Sequence, residues 1–231
     1  MKAAVIFGAT GQIGQAVTRK FLQGYDCLIL VGRSEKNLKA IQEQCLLAFP
    51  EKNISIVQFD PIVSSVQAMV CALDNIPVGC RELSVVNLIA SQLPAGPIWK
   101  NDLGEWQQTL ELNLMLNVAI VNRFIGYAIR HQLPLSLVLF SGGGAAYARP
   151  NFSAYAVSKT AVLRLVENTY EELKLHGYDK LIQINAVAPG CVKSQLTEEI
   201  LAAGAKIVGE KAYAEARQTM QDGGEIGRAH V

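Results

Sequence analysis

The chain has 231 residues, half of them hydrophobic, and its 21 basic and 20 acidic side chains leave a net charge of +1. That length and apolar share suit one well-cored domain and argue against disorder. Near-neutral charge without a cluster of Lys and Arg offers no footing for nucleic acid or an acidic membrane surface. Cys27, Cys45, Cys71, Cys80 and Cys191 form no C-x-x-C pair and read as reduced, mostly buried thiols. His131, His176 and His230 are scattered, so no metal site is expected. The N-terminal "MKAAVIFGATG" is too short an apolar run for a signal peptide, and no segment reads as a membrane span. A cytoplasmic protein is the expectation.

Taken in chain order, short apolar runs alternate with longer helical patterns. Strands are predicted over 3–7, 27–31, 54–59, 83–90, 135–140 and 182–188, and helices over 12–24, 34–48, 62–74, 102–131 and 152–176. Most of the strand runs are continuously apolar, as strands buried on both faces are. Six strands in a β-α-β-α succession predict a Rossmann-type α/β fold: a doubly wound parallel sheet in three α/β/α layers.

The first strand runs into "GATGQIG". Gly8, Gly11 and Gly14, with Thr10, Gln12 and Ile13 between them, end a strand and open a helix. Such a loop permits a tight turn, lets a pyrophosphate approach the backbone, and packs helix closely on strand. The free N–H groups of the helix N-terminus then face the phosphates. A dinucleotide fold preferring NAD(H) carries an acid at the end of the second strand. Here Gly32 and Arg33 stand at that point in "LILVGRSEKNL", and an arginine suits the additional 2′-phosphate of NADP(H). Arg33 and Ser34 are therefore assigned to the cofactor, with NADP(H) favoured over NAD(H). Ser34 also suits an N-cap, and Glu35, the rival ribose ligand, suits the acid of that helix's first turn. Asp60 ends the third strand in "VQFDP", where it serves either the adenine amine or the turn before Pro61.

In "NFSAYAVSKTAVLRL", Tyr155 and Lys159 lie one helical turn apart on the same face. Ser141 ends the fifth strand, at the carboxyl edge of the sheet where ligands bind. A cation beside a phenol lowers its pKa from ~10, and such a tyrosine can exchange a proton with a carbonyl or alcohol oxygen.

Together "GATGQIG", "NLIA", "ELNLMLN", "SAYAVSK" and "NAVAPGCVKS", in this order, resemble the short-chain dehydrogenase/reductase family over residues 1 to about 195. The resemblance implies that Tyr155 is the catalytic acid/base, and that Lys159 holds the ribose hydroxyls and depresses the phenol's pKa. It implies that Asn113 braces a proton-relay water and that Ser141 orients the substrate oxygen. Asn87 and Ala90 would lie beside the adenine ribose. Pro189, Gly190, Val192 and Ser194 would form the turn that meets the nicotinamide carboxamide.

Three positions depart from the family pattern. The glycine spacing is G-x-x-G-x-x-G in place of T-G-x-x-x-G-x-G, and "NLIA" replaces N-N-A-G. Ser141 stands fourteen residues before Tyr155, whereas thirteen is usual and that position is Gly142. Downstream, 197–220 reads as helix broken near Gly204 and 223–231 as an irregular tail, and the resemblance implies that 195–220 forms a substrate cover. One domain over 1–222 is expected, with an exposed sixth strand and without the family's usual seventh. The long helices at 102–131 and 152–176 are the candidate surfaces for a homodimer. "SQLPAGPIW" with Trp99 and "GGGAAYARP" with Tyr147 suggest an apolar pocket.

Two readings follow. One is an NADP(H)-dependent oxidoreductase acting on a small-molecule carbonyl or alcohol substrate. The other is a catalytically idle NAD(P)-binding sensor or scaffold module that retains the fold.

Overall fold

The computed structural model describes residues 1–61 and 72–223. The expected helix over 62–74 therefore lies largely outside the described residues, with 72–74 helical; Cys71, His230 and the tail from 224 onward also lie outside them. Among the described residues, six strands form one sheet: β1 Lys2–Phe7, β2 Cys27–Gly32, β3 Asn53–Gln58, β4 Glu82–Asn87, β5 Leu135–Phe140 and β6 Ile182–Val187. Their order across the sheet is β3-β2-β1-β4-β5-β6, with β3 and β6 at the edges. Pairing is parallel and in register, Val5 lying opposite both Ile29 and Val85, and Val86 opposite Val138. Bonds from Leu135 N to Leu181 O and from Ser141 N to Val187 O join like ends of β5 and β6, so this pair is parallel as well.

Burial explains the strand compositions. Both faces of β1 and β2 are buried after Lys2, and these strands are continuous runs of apolar or small residues. By contrast β6 alternates, exposing Gln183 and Asn185 between buried Ile182 and Ile184. Polar side chains on one face suit an edge strand.

The helices are α1 Gln12–Phe21, α2 Glu35–Ala48, α3 Leu103–Leu110, α4 Leu116–His131, α5 Ser153–Leu175, α6 Gln195–Ala203, α7 Ala205–Val208 and α8 Glu210–Asp222. A π-helical turn, Glu111–Met115, joins α3 to α4. The expected break near Gly204 is real and is doubled: Gly204 and Gly209 both take positive φ, at 79° and 89°, and separate α6, α7 and α8. The continuous helix Leu103–His131 is long and apolar enough to cross a membrane, with a mean hydropathy of 1.4 over 18 residues. That corrects the expectation that no segment reads as a membrane span by length and composition. Ile120, Phe124 and Ala128 on it are nevertheless fully buried in protein.

Two compact units divide the chain. The first comprises Met1–Leu88, Val118–Leu139 and Asn168–Asn185, and the second Ile89–Asn117, Phe140–Glu167 and Ala186–Val231. In the first, Ala4, Ile6, Leu28, Leu30 and Leu38 pack with Leu22 and Ile54. In the second, Phe152 and Tyr155 pack with Ile200, Val208 and Ala216. Of the described cysteines, Cys27 and Cys45 are buried, whereas Cys80 is half-buried and Cys191 exposed.

Candidate functional site

The glycine loop belongs to the first unit. Gly8 has φ of 81°, and its N–H bonds Val31 O at 2.9 Å, turning the chain sharply off β1. Gly14 is required by contact: a Cβ there would lie 2.8 Å from Ala9 Cα and even closer to the Gly8 carbonyl oxygen. Gln15 Nε2 donates to Thr10 O at 3.0 Å and holds the loop against the helix it precedes. Gly11 caps α1 without a side-chain bond, and no acidic residue occupies the first turn. The leading amides of α1, from Gln12, Ile13 and Gly14, have no acceptor inside the helix and carry the positive end of its dipole. An uncapped, acid-free N-terminus over a glycine turn fits a pyrophosphate.

Arg33, Asp60 and Asn87 sit at or just beyond the same ends of β2, β3 and β4. Arg33 is exposed, and none of the ion pairs among the described residues involves it. Ser34 is the N-cap of α2, its Oγ accepting from Asn37 N at 3.2 Å. Glu35 pairs with Lys39 at 2.7 Å, so the rival ribose acid is engaged on its own helix. Asn87 is buried and lies opposite Phe7 of β1.

The second unit gathers Tyr155, Lys159, Ser141 and Asn113. Lys159 is 2% exposed, and its Nζ donates to Phe140 O at 2.7 Å. Burial lowers its pKa from 10.5 to about 8, because the ammonium has lost water without gaining an anion. Ser141 Oγ donates to the Lys159 carbonyl at 3.2 Å. A hydroxyl has one proton, so Ser141 has no donor left for a substrate oxygen in this arrangement. The residue that meets the phenol is Gly142, where an added Cβ would overlap Tyr155 Oη and stand 3.1 Å from Cζ. The serine one position early thus ties strand to helix, and the glycine after it makes room for the tyrosine.

Asn113 is fully buried in the π turn. Its Oδ1 accepts from Ser91 N at 2.9 Å, and its Nδ2 donates to Ser91 O at 2.8 Å and to Ser158 Oγ at 3.0 Å. Ser158 Oγ in turn donates to Tyr155 O at 2.8 Å. Asn113 therefore links the loop after β4 to the first turn of α5.

The electrostatics reverse one sequence expectation. Tyr155 has its pKa raised, chiefly by burial, with Arg149 pulling it down and Cys191 adding to the rise. Lys159 is not the tuner here: its Nζ lies 5.8 Å from the ring centroid and is held by the Phe140 carbonyl. Sequence reasoning missed Arg149, whose guanidinium sits 4.7 Å from the Phe152 ring centroid and 5.5 Å from that of Tyr155. The available signal was an arginine six positions before the tyrosine, in a loop already expected at the site.

The remaining assigned residues of this unit flank β6 and β4. Pro189 and Gly190, the latter with φ of 80°, follow β6. Ser194 is the N-cap residue of α6 and lies 3.4 Å from Thr197 Oγ1, which donates to Val192 O at 2.8 Å. Ala90 is half-buried in the loop after β4. Trp99 and Tyr147, expected to line a pocket, are 81% and 76% exposed.

The family model described as short chain dehydrogenase matches residues 2–204. An uncharacterized oxidoreductase of Staphylococcus epidermidis is 25% identical over 199 residues, 85% of this chain and 80% of the relative. A short-chain dehydrogenase/reductase from Burkholderia phymatum, solved in complex with NAD, superposes with a TM-score of 0.81 at 19% identity, covering 98% of this chain and 81% of that one. A serine dehydrogenase complexed with NADP+ does so at 0.76 and 18%, over 95% and 82% of the two chains.

Proposed function

This chain belongs to the short-chain dehydrogenase family, and we propose that it is an NADP(H)-dependent oxidoreductase interconverting a carbonyl and a secondary alcohol, with Tyr155 as acid/base. The observation that carries the reading is a buried phenol on the same helix as a buried lysine, with a guanidinium beside its ring.

A nicotinamide dinucleotide, present in two of the similar structures, supplies or accepts the hydride when bound. The residues fit it. Gly8, Thr10, Gly11, Gln12, Ile13 and Gly14 offer a turn and free amides to the pyrophosphate, and the exposed Arg33 offers its guanidinium to a 2′-phosphate. Asp60, Asn87 and Ala90 would serve the adenosine half. Lys159 retains two further N–H donors for ribose hydroxyls, and Ser194 has a hydroxyl for the carboxamide.

In the reductive direction, the carbonyl carbon gains the hydride while its oxygen takes the Tyr155 proton. A phenol whose pKa is raised keeps that proton through neutral pH. Tyr155 therefore stands protonated, ready to act as the acid of the reductive direction. Oxidation requires the phenolate, which burial disfavours. Tyr155→Phe should lower turnover on a carbonyl panel by roughly 10²–10⁴-fold, the range of general acid catalysis, and leave NADPH affinity largely intact. Full turnover by the Phe variant would sink the assignment.

A second reading has a specific observation behind it. Ser141 spends its proton on Lys159, and Tyr155 Oη fills the space a side chain at Gly142 would need. Without a Ser141 proton to orient a substrate oxygen, the chain would be an idle nucleotide-binding module that binds NADPH and reduces no carbonyl.

A further inference from the structure

The loop between β5 and α5 holds a cation that neither gives nor takes the proton in the proposed transfer. Arg149 is half-buried and stacks over Phe152 and beside Tyr155, at 4.7 and 5.5 Å from the ring centroids. Its Nη2 donates to Gln92 Oε1 at 3.0 Å, and Gln92 itself is 6% exposed. Among the described residues no carboxylate forms an ion pair with Arg149, and Gln92 is its one hydrogen-bond acceptor.

The position is built. Gly96 N bonds Asn151 O at 2.7 Å, and Phe152 N bonds Arg149 O at 3.2 Å, so both loops bearing Gln92 and Arg149 are pinned. Asn151 adopts φ of 67°, a left-handed conformation that asparagine tolerates better than most residues, and it sets the chain direction after Arg149. A guanidinium partly removed from water, with no anion from the described residues, carries a desolvation cost that an incoming anion offsets. Its planar fork matches a carboxylate bidentately, and stacking on aromatic rings restricts its orientation in advance.

We propose that Arg149, positioned by Gln92, is the specificity residue of this site and recognises a carboxylate on the substrate, so that the compound reduced is an oxo acid. The inference rests on the proposed reading of Tyr155 as the acid of a carbonyl reductase. It deepens that reading by naming the substrate class. The guanidinium's influence on the phenol is consistent with this placement, since the Arg149 charge opposes the rise that burial imposes on Tyr155. An anion docked on Arg149 would cancel part of that charge and leave the phenol still more firmly protonated.

The test compares pyruvate, acetoacetate and levulinate with their methyl esters, using wild type, Arg149→Gln and Arg149→Lys. Turnover is followed with NADPH and with NADH, and binding is followed by the side-chain ¹⁵Nε resonance of Arg149 in the wild type and by calorimetry in all three. At least one acid should exceed its ester tenfold or more in kcat/KM and in affinity. That ratio should fall to about one in Arg149→Gln and recover in part in Arg149→Lys, which keeps the charge. Equal binding and turnover of every acid and its ester, or a preference untouched in Arg149→Gln, would overturn the proposal while leaving carbonyl reduction intact. If no probe turns over although NADPH binds, the reductase reading fails instead. The binding ratios then still decide for or against carboxylate recognition.

Discussion

Lys159 is a buried cation without an anionic partner among the described residues. Its ammonium is 2% exposed and held by one neutral carbonyl, which lowers its pKa from 10.5 to about 8. A depressed pKa means that the unfolded chain binds the proton more tightly. The charged form therefore costs the folded state its full penalty below pH 8, and the penalty is relieved as pH rises towards 10.5. Two and a half pKa units correspond to about 3 kcal/mol. Lys159→Met should thus be stabilised relative to wild type at pH 7, and the advantage should shrink steadily between pH 8 and 10.5. Urea midpoints of the two proteins across that range measure it. Taking the difference removes the cysteine and tyrosine titrations common to both. A difference independent of pH would show that the lysine is not held as a depressed cation. If the ammonium also serves a bound cofactor, this cost is retained because function requires the charge there.

At the scale of elements, the turn from β1 into α1 gives the sharpest expectation. Gly14 lies inside α1 with ordinary helical dihedrals, so a helix propensity argument alone favours alanine there. The tertiary contact reverses that sign, because the Cβ would lie 2.8 and 2.9 Å from backbone atoms of Ala9, which cannot rotate away. Gly14→Ala should cost about 1–3 kcal/mol or more, the usual range for overpacking, and should weaken NADPH binding by distorting the loop. Gly24→Ala is the control: a Cβ there would meet nothing within 4 Å, and stability should barely change. Chemical denaturation of both variants checks the pair. The π turn at Glu111–Met115 makes the same point without mutation. "ELNLMLN" reads as plain helix in the sequence, yet a widened turn there brings Asn113 to Ser91 and Ser158. Ordinary helical periodicity carries no signal for such a turn.

For the whole molecule, cofactor choice is open to measurement through stability. A ligand that binds the native state alone, at a hundred times its Kd, adds about 2.7 kcal/mol. In a chain of this size that corresponds to roughly 5–10 °C in Tm. NADPH should produce such a shift at a concentration where NADH produces much less, and Arg33→Ala should remove the difference. An equal or larger shift with NADH would move the ribose contact to Glu35 or another group. The sheet edges also matter at this scale. β6 ends the sheet with polar side chains alternating on one face, which is how an edge strand is kept from pairing indiscriminately.

The sequence by itself determined the six parallel strands, most of the helices between them, the glycine turn and the family. Each of these is written locally: apolar runs of strand length, glycines spaced G-x-x-G-x-x-G between a strand and a helix, a tyrosine and lysine one turn apart. It also placed Ser34 correctly as an N-cap and Glu35 in the first turn of α2. Only the tertiary structure decided how the site is charged. Burial, a property of the folded packing, raises the Tyr155 pKa where adjacency to Lys159 predicts a fall. The Ser141 proton goes to a carbonyl 18 residues away, Asn113 reaches Ser158 across 45, and Arg149 meets Gln92 across 57. Such pairings depend on which loops the sheet brings together, and solvent exclusion depends on all of them at once. A residue's identity therefore announced the chemistry available, and its surroundings determined the protonation state and partners in which that chemistry is held.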